Sequence, residues 1–254
     1  MVEMFDLSGK TAIVTGGSQG IGFGIARGLA GAGATVIIAN RRAAEGQAAA
    51  ESLKGEGLNA ESAVADVSQS SSVANLVANV VDKHGKIDIL VNNAGVIVRK
   101  PAEAFTEQDW DYIMDINLKG LFFCCQIAGR EMIRRRQGKI INISSDASQR
   151  VMPDVSAYAV SKAGVSHLTR SLALEWAKYN INVNAIGPGL TITPLNRDAF
   201  EAHPEKLVQR VQGIPKGRTG NPTDYAGAAI YLASEASDFV TGQTLLVDGG
   251  TTLT

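Results

Sequence analysis

Apolar residues along this chain change their period repeatedly. Short runs of β-branched and aliphatic residues alternate with longer stretches whose apolar positions recur at helical spacing. The short runs predict strands at Ala12–Thr15, Thr35–Ala39, Ala60–Val64, Ile87–Val91, Lys139–Ile143, Ile181–Ile186 and Thr244–Val247. The periodic stretches predict helices at Gly20–Ala32, Ala43–Lys54, Val73–Lys83, Asp109–Arg136, Ser156–Tyr179 and Asp224–Leu232. Strands that are apolar on both faces belong in a sheet covered on both sides. Strands separated by helices pair in parallel through right-handed crossovers. The expected fold is therefore α/β: a seven-stranded parallel, doubly wound sheet with helices on both faces.

No Pro/Ser-rich linker and no internal repeat interrupts the 254 residues, so residues 1–254 read as a single domain. A domain of this length buries about three quarters of the surface its unfolded chain exposes, enough to fold with neither disulfide nor metal. The least regular stretch, Leu190–Arg218, carries Pro194, Pro204 and Pro215. A long mixed segment so late in the chain is a candidate lid over a substrate site. Charge nearly cancels, with 24 basic and 25 acidic residues and a net charge of −1. That balance gives no footprint for nucleic acid or an anionic membrane. The basic run Arg134-Arg135-Arg136 reads as a solvated helix end. Cys124 and Cys125 are adjacent within an apolar stretch. Neighbouring cysteines rarely reach disulfide geometry, so they are expected in the core and the protein in a reducing, cytoplasmic compartment. Met1–Lys10 holds no apolar run of signal-peptide length, and no stretch of about 18 apolar residues predicts a membrane span.

Chemistry gathers first at the turn after the first strand. Gly16-Gly17-Ser18-Gln19-Gly20-Ile21-Gly22 is a glycine-rich loop leading into a helix. Glycines let the backbone close on a pyrophosphate, and the helix N-terminus adds free N–H groups and partial positive charge. An ordinary tight turn would use the same residues. Gly16–Gly20 also fits Gly-x-Ser-x-Gly, the elbow that presents a nucleophilic serine in α/β-hydrolases, with Ser18 as nucleophile and His84, His167 or His203 as partner. Two features oppose that reading. Ser18 follows the first strand, whereas hydrolases place the elbow well into the chain, and no His-Gly-Gly oxyanion segment is present.

Asn40-Arg41-Arg42 closes the second strand, where a carboxylate would take the ribose 2′-hydroxyl of NAD. Two arginines fit a 2′-phosphate instead, so NADP(H) is expected over NAD(H), unless both merely solvate a loop. Further on, Tyr158 and Lys162 stand at i and i+4 and share a helix face. A free phenol, with pKa about 10, is a poor base at neutral pH. A cation about 4 Å away at an effective dielectric of 20 contributes roughly 4 kcal/mol, about three pKa units. Ser145 follows the fifth strand, thirteen residues before Tyr158, where its hydroxyl could bond a carbonyl. Asn92-Asn93-Ala94-Gly95 follows the fourth strand, beside the expected switch point of the sheet. Asn117 interrupts a helix, where asparagine is a poor interior residue. There it can distort the turn and free a carbonyl to hold water.

Taken in order, Thr15-Gly16-x3-Gly20-x-Gly22, Asn92-Asn93-Ala94-Gly95, Asn117, Ser145, Tyr158-x3-Lys162, Pro188-Gly189 and Asp248-Gly249-Gly250 resemble the short-chain dehydrogenase/reductase family over nearly the whole chain. The resemblance implies a Rossmann fold and an NAD(P)-dependent oxidoreductase that moves a hydride between nicotinamide and a carbonyl or alcohol carbon, commonly as a homotetramer. It makes Tyr158 the acid/base and assigns Lys162 to the nicotinamide ribose and to lowering the Tyr158 pKa. Ser145 would orient the carbonyl, and Asn117 would anchor a proton-relay water. It places Gly16, Ser18, Gln19, Gly20, Ile21, Gly22, Asn40, Arg41, Arg42, Asp66, Val67, Asn93, Ala94 and Gly95 along the cofactor. Pro188, Gly189, Thr191 and Thr193 would lie at its nicotinamide end. Thr191 departs from the family's usual Val or Ile, at a contact expected through backbone.

Within the family the chain is most similar to the gluconate 5-dehydrogenase and ketodeoxygluconate dehydrogenase group. The supporting stretches are Val96–Pro101, Trp176–Ile186 and Gly213–Arg218, although Val98 stands where that group often has Arg. Arg99 and Arg150, just beyond strand ends, are candidates for holding a substrate carboxylate. A 3-oxoacyl-carrier-protein reductase would share the fold and the catalytic residues. A non-enzymatic NADP sensor would not need Asn117, Ser145, Tyr158 and Lys162.

Overall fold

In the computed structural model, residues 2–254 are described and Met1 lies outside them. The strands are β1 (Thr11–Thr15), β2 (Thr35–Asn40), β3 (Ala60–Val64), β4 (Ile89–Asn92), β5 (Gly138–Ile143), β6 (Ile181–Pro188) and β7 (Thr244–Val247). They form one sheet of order β3-β2-β1-β4-β5-β6-β7, every neighbouring pair parallel. The order reverses between β1 and β4, which sit side by side with Thr15 opposite Asn92. The helices are α1 (Gly20–Gly31), α2 (Ala43–Gly55), α3 (Ser70–His84), α4 (Glu107–Met114), α5 (Leu121–Arg135), α6 (Ser156–Trp176), α7 (Arg197–Glu201), α8 (Pro204–Gln212) and α9 (Ala226–Ala233).

Alternation along each strand divides the core into two layers. Ala12, Val14, Val36, Ile38 and Ile141 face α1, α2 and α9, with Ile25, Leu29, Leu53 and Leu232 packed on them. Ile13, Ile37, Leu90, Ile140 and Val183 face the other way, against Val77 of α3, Cys125 of α5 and Val165 of α6. Both cysteines are buried and free, and burial pushes the Cys124 thiol up to about 12.

The stretch read as one helix, Asp109–Arg136, is broken into three. α4 starts at a capping box: Thr106 Oγ1 accepts the Asp109 N–H at 3.1 Å and Asp109 Oδ2 accepts the Thr106 N–H at 3.0 Å. The Lys100 ammonium beside Asp109, together with Thr106, holds that carboxyl down at about 2. Asp115–Gly120 then forms a π-helical segment before α5 resumes. Asn117 causes the break, because its fully buried amide accepts from Val96 N at 2.8 Å and donates to Val96 O at 2.9 Å. Gly120 permits it: a Cβ there would lie 2.6 Å from the Val67 carbonyl oxygen. The basic run ends α5, with Arg136 in the left-handed region at φ 54° and its Nη2 donating to Lys178 O at 2.8 Å, but it is not wholly solvated: Arg135 Nη1 is buried 3.6 Å from Asp88 Oδ1.

Leu190–Arg218 is less irregular than the prolines suggest. It carries α7 and α8 and a small apolar cluster of its own, Leu190, Phe200 and Ile214. Pro204 sits in the first turn of α8, where a missing N–H costs nothing. Among the described residues, no helix is long and apolar enough to cross a membrane.

Candidate active site

A cleft of about 460 Å³ opens at the carboxyl ends of β1 and β4, the switch point at which such sheets bind ligands. The turn after β1 forms its floor. Gly16 and Gly20 take φ of +62° and +56°, and a Cβ on Gly22 would stand 2.3 Å from Asn93 Nδ2. Asn93 locks the turn by donating to Thr15 O at 3.0 Å and Gly16 O at 2.9 Å. The Thr15 hydroxyl accepts the N–H groups of Asn93 and Ala94 at 3.0 and 3.1 Å. α1 begins at Gln19 with extended backbone and no side-chain cap, so its first amides are left for a ligand.

Gly16, Ser18, Gln19, Gly20, Ile21, Gly22, Asn40, Arg41, Arg42, Asp66, Val67, Asn93, Ala94, Gly95, Pro188, Gly189, Thr191 and Thr193 all line this cleft. Asn40 Nδ2 donates to Ser18 Oγ at 2.5 Å, while Asn40 Oδ1 is buried with no partner. Arg42 is paired with Glu45 at 2.7 Å. The hydrolase reading of Ser18 finds no support in the geometry. None of the three histidines lines the cleft: His84 faces Glu61 and His203 faces Glu205. Among the described residues, no group of three or more His, Cys, Asp or Glu side chains is placed to hold a metal.

Tyr158, Lys162 and Ser145 meet at the other end of the same cleft. α6 carries Tyr158 and Lys162, and Ser145 caps the turn just beyond β5, accepting the Ala147 N–H at 3.1 Å. The Lys162 ammonium is buried, donates to Ile143 O at 2.7 Å, and is pulled down to about 8 by burial. Asn117 stands behind the wall, donating to Ser161 Oγ at 3.1 Å. A Cβ on Gly95 would lie 3.3 Å from Asn117 Oδ1 and 3.7 Å from Lys162 Nζ, which puts all three groups at one place.

The family resemblance has Lys162 lowering the Tyr158 pKa; the groups that act on the phenol here are others. Burial raises that phenol above its ordinary value. The Ser145 hydrogen bond opposes the rise, the Asp146 charge adds to it, and the Arg99 charge lowers it. Lys162 Nζ lies 5.8 Å from the phenol ring centre.

At the substrate end Arg99 lines the cleft but Arg150 does not. Its guanidinium turns to the C-terminal segment and donates to Thr251 O at 3.5 Å. Arg210 of α8 and Asp146 take places on the wall that sequence reasoning did not assign. Asp146 carried a signal, since it is an acidic residue in the buried step after β5. Arg210 carried none, being one of several charges on a short helix within an irregular segment.

A family model described as enoyl-(acyl carrier protein) reductase, of the short-chain type, matches residues 16–252. The gluconate 5-dehydrogenase of Gluconobacter oxydans (strain 621H) is 40% identical over 253 residues, 99% of this chain and 98% of that one. The chain is a short-chain dehydrogenase/reductase. The 2-dehydro-3-deoxy-D-gluconate 5-dehydrogenase of Dickeya dadantii (strain 3937) is 43% identical over 251 residues, 98% of each chain. Among solved structures, a gluconate 5-dehydrogenase from Burkholderia cenocepacia J2315 in complex with NADP and tartrate superposes with a TM-score of 0.95 at 42% identity, covering 99% of this chain and 98% of that one. This short-chain dehydrogenase/reductase is thus an oxidoreductase of a nicotinamide-dependent family with a Rossmann sheet, acting on CH–OH groups of small molecules.

Proposed function

We propose that this enzyme interconverts a secondary alcohol and a ketone on a sugar acid or closely related hydroxy acid, with NADP(H) preferred. The observation that carries the reading is the meeting of Tyr158, Ser145 and Lys162 in one cleft with the guanidiniums of Arg99 and Arg210 beside them. The α1 amides, the unpartnered Asn40 Oδ1 and the glycine turn fit a dinucleotide. When bound, the nicotinamide supplies the hydride acceptor or donor.

The rest is done by the chain's own groups. Ser145 Oγ holds the reacting oxygen; in oxidation the Tyr158 phenolate takes its proton and becomes the phenol, and in reduction the phenol gives that proton to the new alkoxide. Lys162 keeps protons free for ribose hydroxyls, since the Ile143 carbonyl engages only one. Asn117 fixes the backbone at Val96, beyond the end of β4, and the π segment, with a relay water as its further role. Arg99 and Arg210 hold a carboxylate; Arg150 supports them from outside the wall. At the adenosine end Arg41 is the better partner for a 2′-phosphate, because Arg42 already pairs with Glu45. Leu190–Arg218 serves as a substrate lid, and the enzyme works as a cytoplasmic homotetramer, the family's common assembly.

Relatives named for gluconate and deoxyketogluconate oxidation support the substrate class, as does tartrate, a hydroxy acid, in the Burkholderia structure. The family model's own description favours a second reading, a reductase of acyl-carrier-linked substrates. Initial rates with gluconate, 5-ketogluconate and acetoacetyl thioesters separate the two. Turnover confined to the sugar acids, and lost about a thousandfold or more in Tyr158→Phe, is the expected result. Preference for the thioesters overturns the substrate class, and an active Tyr158→Phe overturns the catalytic assignment.

A further inference from the structure

Asp146 follows Ser145 directly, yet it has no part in the scheme above. It opens the short turn after β5, is 4% exposed and lines the substrate end of the cleft. Its carboxylate is half satisfied. Oδ1 accepts a hydrogen bond from Ser145 Oγ at 3.0 Å, and the buried Oδ2 has no partner. Arg150 and Arg210 favour its charge from a distance, but their guanidiniums turn to the Thr251 carbonyl at 3.5 Å and the Met152 sulfur at 3.2 Å. Burial accordingly pushes the Asp146 carboxyl above the usual range.

A buried acceptor without a donor is costly. A binding site retains one where the ligand completes it, and such a site strongly rejects the analogue that cannot. The nature of the donor follows from the surroundings. Arg99, Arg150 and Arg210 already act on this region, which disfavours a cation or an ammonium and favours a neutral O–H. Position selects which O–H. Ser145 Oγ meets the reacting oxygen and is itself one hydrogen bond from Asp146. Oxygens on neighbouring carbons are separated by a similar span.

We propose that Asp146 is a specificity-determining residue whose Oδ2 accepts the hydroxyl on the carbon next to the reacting one, so that the enzyme selects vicinal hydroxy substrates over mono-alcohols. This rests on the reading that Ser145 and Tyr158 hold the reacting oxygen, and it does not require the substrate to be an acid.

The test uses two matched pairs on the full-length enzyme with NADP⁺. The first sets D-gluconate against its deoxy analogues, lacking the hydroxyl at carbon 4 or at carbon 6; the second sets trans-cyclohexane-1,2-diol against cyclohexanol. Values of kcat/KM and calorimetric affinities for the enzyme–NADP⁺ complex are compared between wild type and Asp146→Asn. The amide can still accept from Ser145 but presents N–H donors where Oδ2 stood. Asp146→Ala serves as a second variant if the first does not fold. Wild type is expected to favour the hydroxylated member by at least about tenfold, mainly through KM. The preference is expected to fall toward unity in the variant. If wild type treats the members of both pairs alike, in binding and turnover, the proposal is overturned. It is also overturned if the variant lowers kcat on both members equally and leaves the preference intact, as a residue acting only through Ser145 would. If the neutral pair discriminates and gluconate is not turned over, Asp146 stands and the sugar-acid reading falls.

Discussion

Among single residues Lys162 is the most exposed to a quantitative test. Its ammonium is buried, and burial lowers its pKa from 10.5 to about 8. Between those values the unfolded chain binds a proton that the folded chain has released. Stability therefore rises with pH across that window, and below about pH 8 the full penalty of the buried charge is present. The span corresponds to about 3 kcal/mol. Lys162→Met removes the titration, so wild type should gain on the variant by up to that amount between pH 8 and 10.5. Urea denaturation at matched pH values measures it, and parallel stability curves for the two proteins would contradict it. The variant should also lose activity. Nothing in Tyr158-x3-Lys162 as a spacing foretold this. Helical periodicity puts the two side chains on one face, but the depth to which each is buried, and the Ile143 carbonyl that receives the ammonium, come from tertiary packing. The same holds for the two arginines: Arg99 and Arg150 were read alike from their places after strand ends, and only the turn of the Arg150 guanidinium toward Thr251 separates them.

At the scale of elements, strands were legible to within a residue or two because each is a short aliphatic run bounded by turns. Thr244–Val247 and Ala60–Val64 coincide with their predicted bounds. The π segment was not. Asn117 announced a disturbance, but the pattern of apolar residues from Asp109 to Arg136 stays helical throughout, and periodicity does not register one extra residue in a turn. Gly120 gives the segment a test. An added Cβ would meet backbone oxygens of Val67 at 2.6 Å and Asp115 at 2.9 Å, neither of which can swing aside. Gly120→Ala is expected to cost about 1–3 kcal/mol and to lower kcat by displacing Asn117. Gly227→Ala is the control: on α9 a Cβ meets nothing within 4 Å, and the substitution should stabilise by about 0.5–1 kcal/mol. Thermal denaturation of both variants decides it. A neutral Gly120→Ala would mean that the π segment does not depend on the close approach to Val67.

The whole molecule carries a net charge of −1, yet the two ends of its cleft are basic, with Arg41 and Arg42 at one and Arg99 and Arg210 at the other. On the proposed reading an anionic dinucleotide and an anionic substrate would each meet local charge that the overall balance conceals, which is why composition reveals neither ligand. Binding to the folded state alone stabilises by about 2.7 kcal/mol when a ligand is present at a hundred times its Kd. In a domain of this size that is a rise in Tm of about 5–10 °C. NADP⁺ should produce such a rise, and NAD⁺ at the same concentration a smaller one, because only the 2′-phosphate engages Arg41. Arg41→Ala should bring the two shifts together by weakening NADP⁺, leaving NAD⁺ nearly as before, since a solvated arginine contributes little to a hydroxyl. Raising the ionic strength should narrow the difference in wild type and leave the variant unaffected. Equal shifts for the two dinucleotides in wild type would return Arg41 to the role of a loop charge and remove the preference for NADP(H). The Tyr158, Ser145 and Lys162 geometry would be untouched by that result, because Arg41 follows β2 whereas Ser145 follows β5 and Tyr158 and Lys162 stand on α6.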